Sequence, residues 1–104
     1  MSFTNTQARF ATIGTTTTIP GEIIDTFWYM IDEYLKGVFP LDAIIRFELL
    51  DNDGRLSIRY SQTSSPATLT ADFQFSFDEN WPLEFLAVDD RGAETIMTPE
   101  EFGE

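Results

Sequence analysis

Only one stretch of this chain repeats apolar residues at helical spacing, which limits the fold to a single substantial helix. Across residues 18–37, Ile24, Phe27, Trp28, Ile31 and Leu35 recur at three- and four-residue steps and line one stripe of a helix. Glu22, Asp25, Asp32, Glu33 and Lys36 fall mostly on the opposite side. Pro20 fits the first turn, where a missing N–H costs nothing, with Thr18 as the cap before it. Gly37 is placed to end the helix in a left-handed conformation.

Nearly everything else alternates at period two. Residues 9–13 form a short candidate strand broken by Gly14, and residues 15–18 link it to the helix. That threonine run lacks the glycines and lysine of a phosphate cradle and reads as connector and cap. Past Val38-Phe39-Pro40, residues 41–50 set Ile45, Phe47 and Leu49 on one face, and residues 55–61 do the same with Leu56, Ile58 and Tyr60. Asp51-Asn52-Asp53-Gly54 between them predicts a hairpin turn. Read as a calcium loop, it would put Leu49 at the first ligand and Tyr60 at the bidentate acid, so the turn reading stands.

Residues 62–67 read as a polar loop. Leu69, Ala71, Phe73, Phe75 and Phe77 then point one way, with Thr70, Asp72 and Gln74 the other. A row of phenylalanines can stack nucleic-acid bases, but Asp72, Asp78 and Glu79 surround this one, so it is assigned to the core against the helix. Residues 83–89 and 94–98 are further strands about the turn Asp90-Arg91-Gly92. Thr98-Pro99-Glu100-Glu101 begins a short helical turn, with Phe102 placed to pin the tail back. The expectation is one α+β domain over residues 1–104, with one main helix packed on a mainly antiparallel sheet of about five to six strands. Residues 1–7 are expected to be a flexible start and 99–104 a short tail.

Composition narrows the chemistry. With no Cys, disulfides, thiolate nucleophiles and zinc–thiolate sites are removed together, and with no His the commonest general base and metal ligand is missing too. No cofactor or metal site is expected. An enzyme built here would depend on the carboxylate groups Asp89/Asp90 and Asp51/Asp53, and adjacent acids on a strand end point to opposite faces. The start has neither the basic nor the apolar region of a signal peptide, and a cytoplasmic location is the expectation. Eighteen acids against six bases give a net charge of −12, and from Asp72 to Glu104 ten acids face Arg91 alone. Such a surface repels nucleic acid and anionic membrane and attracts basic grooves.

Several fragments together resemble a known family: Phe10-Ala-Thr-Ile-Gly14, the run from Ile19 to Asp32, Leu41-Asp-Ala-Ile-Ile-Arg-Phe-Glu-Leu49, Val88-Asp-Asp90 and Thr95-Ile-Met-Thr-Pro-Glu-Glu-Phe102. The chain is similar to the small Gram-positive and phage-borne proteins filed as domain of unknown function 960, while residues 52–82 match poorly. The resemblance implies a compact α+β domain from bacteria or their mobile elements, with no assigned activity.

The function expected from charge is that of a non-enzymatic acidic binding protein whose partner is basic. Its sharp form is a phage or mobile-element inhibitor of anti-CRISPR or anti-restriction type, imitating nucleic acid in the groove of a nuclease. Asp78, Glu79, Glu84, Asp89, Asp90 and Glu94 are the candidate acidic surface, with two pairs flanking a strand roughly 20–25 Å apart. Trp81 and Tyr29 are the apolar candidates. The alternative is a housekeeping interaction domain or homo-oligomer whose acidity serves solubility, in which the strand over residues 69–77 pairs with its twin if it lies at an edge.

Overall fold

A computed structural model describes residues 1–104. The chain runs β1 (Ala8–Ala11), α1 (Ile13–Thr16), α2 (Gly21–Met30), a π-helical turn (Ile31–Leu35), β2 (Ile44–Asn52), β3 (Arg55–Gln62), β4 (Ser65–Ser76), β5 (Glu84–Asp90), β6 (Ala93–Met97) and α3 (Pro99–Phe102). All six strands join one sheet in the order β1-β6-β5-β2-β3-β4, antiparallel except for the parallel pair of β1 with β6. The architecture is α+β, as the alternation predicts.

The main helix begins later than expected. Pro20 itself occupies the N-cap, and the Thr18 hydroxyl instead donates to the Gly14 carbonyl, inside the short helix that the threonine run builds. The buried stripe is Ile23, Ile24, Phe27, Met30, Ile31 and Leu35, while Trp28 lies at its half-buried margin. In an unbroken α-helix, at about 100° per residue, Leu35 would sit about 80° round from Phe27. The wider last turn, closed by Lys36 N–H donating to the Ile31 carbonyl at 3.0 Å, takes up much of that rotation and keeps Leu35 in the core. Gly37 leaves the helix at φ +77°, the left-handed exit that its lack of a Cβ permits.

The helix packs over the middle of the sheet, not over the phenylalanine row. Phe27 stacks on Phe47 of β2 at 4.8 Å between ring centroids and tilts against Phe85 of β5 at 5.5 Å. Ile45, Leu49, Leu56, Ile58 and Tyr60 complete that floor. Phe73, Phe75 and Phe77 are half-buried at its margin, because β4 is the last strand of the sheet and one helix cannot cover six strands.

Two further expectations give way. The polar loop at 62–67 shrinks to a turn at Thr63 and Ser64, because Gln62 is buried, with its amide bonded to Pro40 O and Asp42 N–H. The supposed flexible start holds Phe3, which is fully enclosed in the core at φ +62°, with its N–H donated to Asp89 Oδ2 at 2.8 Å. At the far end Phe102 stays 43% exposed, and it is the Glu101 carboxylate that fastens the tail. It accepts from Thr12 Oγ1 (2.6 Å), Thr98 N–H (2.9 Å) and Gly14 N–H (3.1 Å), clasping α3 to α1.

Those donors, the Thr12 hydroxyl foremost, hold the Glu101 carboxyl below its usual pKa. A depressed folded value means that the clasp contributes fully above the ordinary carboxylate range and is lost as pH falls through the folded pKa. The Gly14 amide resonance should therefore shift only on acidification below the ordinary carboxylate range, and Glu101→Gln should abolish that shift. A Gly14 signal indifferent to acid in the parent protein would contradict the clasp.

Candidate interaction surfaces

The acids proposed as one surface are divided by the sheet. Glu94 is wholly buried on the helix side of β6, where its carboxylate accepts from Thr6 Oγ1 at 2.5 Å and from Arg9 Nε at 3.1 Å. It is a core residue and not part of any docking surface; strand alternation turns it inward, on the same face as Ile96. Asp89 is half-buried and holds the β5–β6 hairpin, accepting from Phe3 N–H and from Gly92 N–H. Glu84 pairs with Arg46 at 2.6 Å, and the same guanidinium grips Glu104 at 2.9 Å. Asp90 is exposed at the far end of β5 beside Arg91. Only Asp78 and Glu79 remain exposed without an ionic partner.

These two have neighbours that sequence spacing does not reveal. Asn52 and Arg55 pair across a two-residue turn in which Asp53 and Gly54 have φ of +52° and +85°, the primed geometry that Asp-Gly favours. Phe77 N–H donates to Gly54 O at 2.9 Å, so the loop after β4 lies against that hairpin. Asp51, Asp53, Asp78 and Glu79 thus share one end of the sheet, and none has an ionic partner. Trp81 belongs to the same end. It is half-buried, edge-on to Phe77 at 6.1 Å, and its backbone N–H donates to Asp78 O. Arg55 is the basic residue closest in sequence to this turn, and it is directed at Gln74 Oε1, 2.6 Å away. In the sequence Asp51 and Asp53 read as turn formers and as one of two carboxylate groups; the signal that they share a charged surface with Asp78 and Glu79 is a tertiary hydrogen bond.

Tyr29 lies elsewhere, on the outer side of the helix, 49% exposed and edge-on to Tyr34 at 5.4 Å. Beside it the Arg9 guanidinium lies 4.7 Å over the Trp28 ring and forks onto Asp32 at 2.6 and 2.8 Å. That fork, ahead of a smaller effect from Lys36, keeps the Asp32 carboxyl below its usual pKa. Five of the six bases are engaged in such ion pairs, so the outward charge is almost entirely negative.

Asp89 and Asp90 project to opposite faces, and no three carboxylates converge in a way that could hold a metal ion. A hollow on the helix-free face, about 160 Å³ and lined by Ile44, Arg46, Ser61, Gln62, Thr63 and Leu86, presents a guanidinium already occupied by two acids. The Tyr60 hydroxyl is enclosed beside Phe39 without a hydrogen-bond partner, and burial pushes its pKa up. No helix is long and apolar enough to cross a membrane.

Residues 8–101 match the family described as "Staphylococcal protein of unknown function (DUF960)". A crystal structure of a protein of unknown function from Enterococcus faecalis is similar at 37% identity, with a TM-score of 0.90, over 93% of this chain and 92% of that one. Among functionally curated proteins there is no match.

Proposed function

The chain belongs to the DUF960 family, and from that premise we propose that it is a non-enzymatic binding protein that docks a basic protein partner on the acidic end of its sheet. The observation that carries the reading is the hydrogen bond from Phe77 N–H to Gly54 O, which sets two acidic turns side by side next to Trp81. Four carboxylates without ionic partners steer a cationic surface towards this end, and a half-buried indole is suited to anchor it through apolar and cation–π contact. Tyr29 and Tyr34 on the helix are a second aromatic patch, set among Asp25 and Glu33. The sharper form, imitation of nucleic acid by an inhibitor of a nuclease or restriction enzyme, rests on the same carboxylates, since a duplex presents a charge about every 1.7 Å of axis.

The test compares the parent protein with a variant carrying Asp51→Asn, Asp53→Asn, Asp78→Asn and Glu79→Gln. Proteins captured from a bacterial lysate by the parent at about 0.05 M salt are the candidate partners, and their capture should fail at about 0.5 M. For each, the variant should associate at least about tenfold more slowly and dissociate at a similar rate. Displacement of the partner by duplex DNA would support the nucleic-acid-mimic form. Equal on-rates for parent and variant, or capture indifferent to salt, would remove the acidic-surface reading.

A further inference from the structure

The sheet ends on β4, and the outer edge of that strand has no backbone partner: β4 pairs with β3 alone, and no loop hydrogen-bonds to its free side. The opposite edge strand, β1, is four residues long, whereas β4 has twelve. Exposed edges are commonly kept short or guarded by lysine, proline and inward charges. Here the guards are slight, with Pro66 at the start of the strand and Asp72 as its one charge. Exposure alternates without a break from Ser65 to Ser76, through two register irregularities against β3, one between Arg55 and Ser57 and one between Tyr60 and Gln62. On the helix side, Leu69, Ala71, Phe73 and Phe75 pack on the core yet stay half-exposed, beyond the reach of the helix.

Charge on the other side of β4 indicates what fits. Arg55 is the one base with no carboxylate partner; its guanidinium crosses to Gln74. Two residues back, Asp72 accepts from Ser57 Oγ and Asn52 Nδ2 through Oδ1, and its Oδ2 accepts nothing. A guanidinium that reaches from β3 onto Gln74 and a half-used acid two residues along β4 complement each other when the free edge meets a reversed copy of itself.

We propose that β4 pairs antiparallel with β4 of a second copy, about a two-fold axis through Phe73. In that register Phe73 meets its mate, Ala71 lies opposite Phe75, and Leu69 opposite Phe77, so small and large side chains alternate along the helix side. On the other side Asp72 lies opposite Gln74 and within reach of Arg55, and Thr70 opposite Ser76. No like charges lie directly opposite each other, the two Asp72 side chains being offset diagonally, whereas an axis through Asp72 would oppose two carboxylates. The axis stands perpendicular to the sheet, so both main helices lie on the same side of one continuous sheet. The edge phenylalanines of each copy then cover those of the other.

Sedimentation equilibrium from about 10 µM to about 0.5 mM tests this at about 0.05 and 0.5 M salt. A monomer–dimer equilibrium that tightens with salt is expected, because each copy carries −12 and screening relieves their repulsion. That salt dependence is opposite in sign to the one expected for docking a basic partner. Gln74 is exposed, so substitutions there leave thermal unfolding nearly unchanged and act on the pairing. Gln74→Lys, placed opposite Asp72 twice over, should tighten the dimer several-fold, and Gln74→Asp should weaken it about three- to tenfold. Arg55→Gln should weaken it as well. A chain that stays monomeric at about 0.5 mM in about 0.5 M salt overturns the proposal, and so does a dimer whose affinity the two Gln74 substitutions leave alone or change in the same direction.

Discussion

Replacing Phe27 by alanine is expected to remove about 3–5 kcal/mol of stability, the range for a large aromatic cut from a packed core. The ring is fully enclosed and lies between Phe47 and Phe85, so its loss opens a cavity at the one place where helix and sheet meet through aromatic stacking. For a domain of this size that corresponds to a fall in Tm on the order of 15–30 °C, or to outright unfolding. Phe73→Ala at the margin should cost much less, on the order of 1–2 kcal/mol, since that side chain is only half-buried. Thermal unfolding of the two variants decides the matter. Equal losses would mean that the helix rests on β4 as much as on β2 and β5, contrary to the observed packing.

Glu94→Ala should have the second-largest effect, about 3 kcal/mol, because it removes the buried acceptor of the Thr6 hydroxyl and leaves part of the Arg9 guanidinium without its carboxylate partner. Arg9 keeps its fork on Asp32, which places the loss at the lower end of the range for a broken buried pair. Glu79→Gln should change stability by less than about 0.5 kcal/mol, being an exposed acid with no ionic partner. Chemical denaturation separates the two substitutions. A Glu94 variant as stable as the parent would show that its carboxylate is solvated, and would return it to the acidic surface from which burial removes it.

The contrast between these two acids shows how far the sequence could be read. Both are glutamates in a segment with ten acids and one base, and composition treats them alike. Alternation along β6 already puts Glu94 on the same side as Ile96, an inward position, but period two cannot say which side of a strand is covered until the helix is placed. Trp81 and the pair Asp78/Glu79 were legible as a loop with one aromatic, and Asp51/Asp53 as a hairpin turn. That the two lie against each other depends on Phe77 N–H reaching Gly54 O, across 23 residues of chain that carry no local signal of the contact. The edge position of β4 was open in the same way: its pattern describes a strand with one apolar side, and only the sheet order leaves that side at the margin of the core.

The sequence by itself determined what local physics controls. Apolar spacing specified one main helix and most of its buried stripe, missing Ile23 and Met30 and including the half-buried Trp28; alternation specified most of the strands, and Asp-Gly and Arg-Gly specified two tight hairpins. Missing His and Cys, with a net charge of −12, bounded the chemistry before any fold was known. Tertiary structure alone decided which strands are neighbours, which acids lose their solvent and which turns converge. Those outcomes arise from contacts between residues far apart in the chain, whose cost is loop closure and whose gain is shared burial. Neither term leaves a mark on the few residues around each partner, so Phe3 reads as a loose start until the core closes over it.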